Sequence, residues 1–251
     1  MLEVIYIMWL RQIKRHFRSK SRLIGSLGQP LLFLIALGFG FGPVFEQEGQ
    51  GNYLTFLAPG IIAMGVLFTS IFLGIEIIWD KQFGFIKETF VAPIPRYQIL
   101  LGKALGGATV ATLQGITILI LTLLVGFTLP NLWVIPFSIL IMFLIALFFT
   151  LVGITIASFL EDMHGFQLIM NFLVMPIFFL SGALFPLNNL SGPLLYLVKL
   201  NPLSYGIDAL RNVLLGTSFQ FGLGLDLSIL IGLSAIVLII GSYFFNRIQI
   251  N

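Results

Sequence analysis

Apolar residues run almost unbroken along most of the chain, and polar positions gather in a few short stretches. Crossing about 30 Å of hydrocarbon as a helix takes roughly 20 residues. Six runs meet that length: 23–42, 54–79, 104–127, 132–159, 166–185 and 227–245. None alternates apolar and polar positions at period two, so helices are expected rather than the strands of a barrel. The predicted fold class is an all-α membrane protein with six transmembrane helices, and residues 1–251 are expected to form a single transmembrane domain.

The first 22 residues carry a different pattern. At 100° per residue, Tyr6, Trp9, Leu10, Ile13 and Phe17 fall in one sector. Arg11, Lys14, Arg15, Arg18 and Arg22 fall opposite. This pattern predicts an interfacial amphipathic helix, with its apolar side in the acyl boundary and its basic side toward anionic headgroups of the lipid bilayer. A long basic region, a near full-length apolar run and no small-x-small cleavage site favour a retained first span over a cleaved leader.

Composition sharpens the class. The chain is 58% hydrophobic and 9% charged, whereas a soluble domain carries about 25% charged residues. It has no cysteine, which excludes disulfides and thiolate metal sites. The net charge of +3 says less than its distribution. Eleven of the thirteen Lys and Arg lie before the first predicted span, between the second and third, or after the last, leaving Lys199 and Arg211 on the other side. Lys and Arg are retained in the cytoplasm, so a multi-pass protein of the cell membrane with both termini cytoplasmic is expected.

Several chemistries are unsupported. There is no GxxxxGK[ST] phosphate loop, because Tyr97 stands where the pattern before Gly102-Lys103 needs glycine. The two histidines, His16 and His164, lie outside the predicted spans. No catalytic, cofactor-binding or metal residues are therefore assigned, and no nucleic-acid partner is expected. Glu76 is the one ionisable residue inside a predicted span. An intramembrane acid is a functional candidate, but Glu76 stands near the cytoplasmic end beside Asp80 and Lys81 and is expected to reach headgroup water. No midplane acid and no inverted repeat of three spans point to an ion-coupled carrier.

Milder polar groups remain within the spans. Gln29, Thr69, Gln114 and Asn171 either glue helices together by hydrogen bonds or face a translocation path. Gly38 and Gly42, and Gly102 and Gly106 with adjacent Gly107, have the spacing that lets helix backbones approach closely. Pro59 and Pro176 are expected to kink their helices.

Two stretches between spans are neither loop nor span. The outer segment 186–216 is too apolar for a solvated loop and is broken by Pro186, Pro193 and Pro202. Short helices in or dipping into the outer leaflet are predicted there, one starting at Asn201-Pro202 with Asn as cap and Pro at the first position. Asp208 and Arg211, three residues apart, are positioned to pair. Asn189-Leu190-Ser191 matches a glycosylation sequon. Segment 80–103 on the basic side contains "FGFIKETFVAPIPRYQILLGK", with five apolar residues in nine positions and two prolines.

The order of these parts, together with "ETFVAPIPRYQILLGK" and "FFLSGALFPLNNL…LNPLSYGIDALR", resembles the type-2 ABC transporter permeases, the membrane-subunit class of drug, polysaccharide and lipid exporters. The similarity extends over nearly the whole chain. It implies that segment 80–103 forms a cytoplasmic coupling helix docking on a separate ABC ATPase subunit. In that role Phe83, Phe85, Ile86, Phe90 and Val91 are the apolar anchors and Lys87, Glu88 and Arg96 the rim charges. Pro93 and Pro95 set the turn back to the membrane. It also implies a chain without its own ATPase site, with ATP and magnesium held by the partner. A second copy or a similar permease would complete a path near spans one, two and five. An ion-gradient-driven carrier or channel and a non-transporting anchor or sensor subunit remain the alternatives, and no residue points to one substrate.

Overall fold

A computed structural model describes residues 2–47, 52–91, 93–187, 192–216 and 220–247, without the side chains of 20–23, 44–47 and 87. Among these residues the chain is all-helical. Five helical stretches are long and apolar enough to cross a membrane, and a sixth apolar helix is shorter, consistent with a six-span protein. The sequon at 189–191 lies outside the described residues.

The amphipathic arm is helix α1, Leu2–Arg18, followed by α2, Lys20–Gln47. The second span is α3, Tyr53–Phe72, continued by α4, Ile75–Gln82. Rather than running unbroken over 54–79, this span tightens at Leu73-Gly74. There the amides of Gly74, Glu76 and Ile77 each bond a carbonyl three residues back. The cause is a backbone crossing: a Cβ on Gly74 would meet the Gly153 carbonyl carbon and oxygen at 2.4 Å.

A short helix α5, Phe85–Val91, precedes α6, Arg96–Val125. The third span therefore begins eight residues before the expected 104. Pro95 supplies an extended residue at its start, and no proline follows to interrupt it. Lys103, expected to end a cytoplasmic loop, is only 3% exposed within α6. Helix α7 spans Val134–Phe159, and α8, Met163–Phe179, stops short of the expected 185. The Asp162 side chain caps α8 by accepting from the amides of His164 and Gly165, which hold its carboxyl below the usual range. Beyond α8 the chain turns at Gly182, whose φ of +74° is one that favours glycine.

Helix α3 is the centre, buried on nearly every side and packed against α2, α6 and α7. In the outer segment, α9 covers Pro193–Leu200 and α10 covers Pro202–Leu215. Asn201 caps α10 through the Leu203 amide, with Pro202 in its first turn, as expected. Helix α10 does more than dip into a leaflet: it packs between α3, α7 and the last helix α11, Leu223–Asn246.

The arm also differs from expectation. A third stripe, Met8, Gln12 and His16, is its buried side. Met8 and Gln12 seat on Gly102 and Gly106 of α6, where a Cβ would come within 2.6 Å of Met8 Cβ or Gln12 Cβ. The Gly-x-x-x-Gly face thus receives the amphipathic arm instead of another span. Trp9 Nε1 donates to Thr109 on the same helix at 3.0 Å. Tyr6 and Phe17 remain exposed.

Candidate functional site

One end of the helical body is organised around α4. Its Glu76 and Asp80 are four residues apart and share one helix face. On α1, Arg11 and Arg15 have the same spacing and opposite sign, and the two pairs meet. Arg11 donates two hydrogen bonds to Asp80, at 3.0 and 3.3 Å. Arg15 Nη1 stands 3.6 Å from Asp80 and 3.7 Å from Glu76. Lys103 from α6 completes a salt bridge to Asp80. Three cations thus surround two acids that are nearly removed from solvent.

Glu76 therefore does not reach headgroup water; it is 2% exposed, because α1 and α6 close over that face of α4. Nor do all the arm's arginines face headgroups, since Arg11 and Arg15 turn inward to the acids. The removal of charge from water is offset only where partners are complete.

The other sides of α4 brace further helices. Lys81 Nζ donates to the carbonyls of Ala157, Ser158 and Leu160, where α7 ends. Gln82 donates to the Glu161 carbonyl, and Trp79 Nε1 points at Met163 Sδ at the start of α8. One eight-residue helix thus touches α1, α6, α7 and α8.

Helix α5 follows a turn at Gly84, with φ +74°. Its inner face is committed within the chain. Phe85 lies under the Arg11 guanidinium at 3.5 Å, Ile86 is buried, and Phe90 meets Phe245 of α11 edge-on at 5.7 Å. Arg96 stacks over Phe90 at 4.2 Å and donates to the Asn246 carbonyl at the end of α11. Phe85, Ile86, Phe90 and Arg96 are therefore occupied by contacts with their own chain rather than presented together as anchors and rim. The outward edge carries Phe83, 81% exposed, Val91, 86% exposed, and Glu88, with Pro93 and Pro95 also exposed. The Lys87 side chain lies outside the described residues.

The candidate path residues separate. Gln29 and Thr69 share a half-open cavity of about 440 Å³ between α2, α3, α4 and α8, which His16 and Gln167 also line. Gln114 does not reach it: it is buried in α6, and its Nε2 has no hydrogen-bond partner among the described residues. Asn171 is exposed on α8, off the stripe of Phe166, Met170, Val174 and Phe178 that packs inward.

Asp208 and Arg211 are both buried in α10, and their hydrogen bonds run to different segments. Asp208 Oδ2 accepts from the amides of Gln220 and Phe221. Arg211 donates to the carbonyls of Gly182 and Ala183 and lies 3.9 Å above the Phe56 ring.

These features define a polytopic membrane permease body whose spans are braced at one end by a small helical unit. The model of the ABC-2 type transporter family matches residues 3–215, from α1 to the end of α10. The chain belongs to that family, whose members are transporter permease subunits, which implies a membrane setting and an ATPase partner. It is 32% identical to a protein of Cyanophora paradoxa named transport permease ycf38, over 95% of this chain and 85% of the other. A protein of that name from Porphyra purpurea is 31% identical, over 82% and 72%. Nodulation protein J of Rhizobium leguminosarum bv. trifolii is 29% identical, over 84% and 78%.

Proposed function

We propose that the chain is the permease half of an ATP-driven exporter and that ATP, with magnesium, is bound and hydrolysed on a separate ATPase subunit. It works in the cell membrane with both termini cytoplasmic, as a homodimer or beside a similar permease. Closure of two ATPase subunits pushes on the outward edge of segment 83–91. The braces of α4 and α5 pass that displacement to α1, α6, α7, α8 and α11, and nucleotide state biases inward against outward access. The path runs near α2, α3 and α8, where Gln29 and Thr69 share a cavity.

The observation that carries this proposal is the division of segment 83–91 into two sides. One is built into the chain, and the other leaves large apolar side chains in solvent. Burying Phe83 and Val91 on a partner would each supply on the order of 1.5–3 kcal/mol.

Reconstitution in vesicles tests the function. Solute movement should require both the ATPase subunit and ATP. Robust flux by this chain alone, driven by an ion gradient and abolished by Glu76→Gln, would establish the carrier instead. Nucleotide hydrolysis in the complex with no solute movement would establish a non-transporting subunit.

A further inference from the structure

The chain has four aspartates, at 80, 162, 208 and 226. The first three have what a carboxylate needs. Asp80 sits among Arg11, Arg15 and Lys103. Asp162 accepts from two amides at the start of α8, and Asp208 from the amides of Gln220 and Phe221. Asp226, in the first turn of α11, differs from all of them. It is 0% exposed, and among the described residues neither of its side-chain oxygens has a hydrogen-bond partner.

The surrounding elements do not make good that lack. Helix α11 packs against α6, α7 and α10. Helix α7 has no ionisable residue, and those of α6 are Arg96, Tyr97 and Lys103, near its start. That start lies at the far end of α11, where Arg96 bonds the Asn246 carbonyl and where Tyr243 and Arg247 also stand. On α10 the ionisable groups are Tyr205, Asp208 and Arg211. Tyr205 packs on Phe221 and gives its hydroxyl to the Lys199 carbonyl. Arg211 donates to the Gly182 and Ala183 carbonyls. Asp208 is the charge that acts on Asp226, and it has the same sign.

With both acids ionised, two anions would share one cation, Arg211. The first-turn amides of α11 favour an anion weakly. Holding a bare carboxylate out of water costs far more. Lipid around the protein does not change this balance, because the side chain is enclosed by the chain itself. A metal ion would restore neutrality but needs several oxygen ligands, and the described residues hold no group of three His, Cys, Asp or Glu. A proton needs one.

We propose that Asp226 is a proton-binding site: its carboxyl carries a bound proton while α10 and α11 are packed together, and releases it to water when they part. The proton leaves Asp208 and Arg211 to balance each other. Since the packed form binds one proton more than the parted form, rising pH favours parting. The site needs no ATPase, so it stands or falls independently of the transport proposal.

Infrared spectroscopy of the full-length permease in detergent reads the proton directly. At neutral pH the carbonyl stretch of a protonated carboxylic acid should be present, and labelling the aspartate carboxyls with carbon-13 should move it to lower wavenumber. Asp226→Asn should abolish the band, and Asp162→Asn should leave it. Protection factors of the amides of residues 220–226, taken relative to intrinsic exchange, should fall by about tenfold per pH unit as pH rises toward the point where the band fades, and level off beyond it. Asp226→Asn, which keeps the shape of the protonated acid, should remove that slope. The isotope shift is read on the wild type and does not depend on a variant folding. A wild-type spectrum without the band, a band that labelled aspartate does not move, or one that survives Asp226→Asn would overturn the proposal. So would a protection slope that persists in Asp226→Asn. Suppression of the band by millimolar sodium or magnesium would make this a metal-cation site and also overturn it.

Discussion

Both ends of the molecule bury charge, but they use it differently. At the α4 end Arg11, Arg15, Glu76, Asp80 and Lys103 come from three helices and answer one another. At the α10 end Asp208 and Arg211 share one helix, and each reaches for backbone: Asp208 for the amides leading into α11, Arg211 for the carbonyls after α8. Side-chain pairs between helices can be remade in a second arrangement, because each partner keeps its charge as it moves. Backbone bonds that close a turn have no such second partner. The α4 end is therefore held by bonds that can be exchanged, and the α10 end by bonds that hold the segment between α8 and α11 in place.

The contrast can be broken most severely at Asp80. Asp80→Asn leaves Arg11, Arg15 and Lys103 facing Glu76 alone, and should lower unfolding stability by about 3–5 kcal/mol, read as a reduced midpoint in denaturant titration of the detergent-solubilised protein. At the α10 end Arg211→Met should cost less, about 1–3 kcal/mol, because it leaves two carbonyls short of a donor and takes a cation from beside the buried Asp208, which keeps its two amide donors. If the α10 variant proved the more damaging, the two ends would have to be reassigned.

Gly106→Val tests whether the arm must sit on α6. Its Cβ would meet Gln12 Cβ at 2.6 Å, and overpacking of this kind costs about 1–3 kcal/mol where neighbours cannot move. Faster proteolysis within residues 2–18, with the spans intact, would show that the arm alone has lifted. The smallest expected effect is at the Asp162 cap. Its carboxyl is held low in the folded protein, so its contribution is present at neutral pH and is lost as pH falls through that lowered range. Protection factors of the amides of residues 163–166, taken relative to the intrinsic exchange rate at each pH, should fall on acidification and should no longer change with pH in Asp162→Ala.

The spans were legible because hydrocarbon forces long apolar helices and sets their minimum length. The start of α10 was legible because Asn201-Pro202 carries its own cap chemistry. The charge cluster was not, since Arg11 and Asp80 are 69 residues apart and nothing local links them. A signal did exist: acids at 76 and 80 match arginines at 11 and 15 in spacing and oppose them in sign. Lys103 was placed in a loop because a lysine ordinarily marks the end of a span, an inference that fails where an acid is buried beside it. The inward half of α5 was hidden for a similar reason. Apolar residues suited to an ATPase groove serve equally to pack against α11, and only the tertiary contact distinguishes Phe90 from Val91.

The central proposal is that an ATPase subunit is gripped by the solvent-facing edge of segment 83–91. Retention of that subunit by the affinity-purified permease tests it most directly, with wild type compared against the double variant Phe83→Asp/Val91→Asp. Both positions are exposed, so the fold should change by no more than about 0.5 kcal/mol. Loss of interface anchors worth about 2 kcal/mol or more should weaken retention roughly thirtyfold. Undiminished ATPase on a normally folded double variant would contradict the claim.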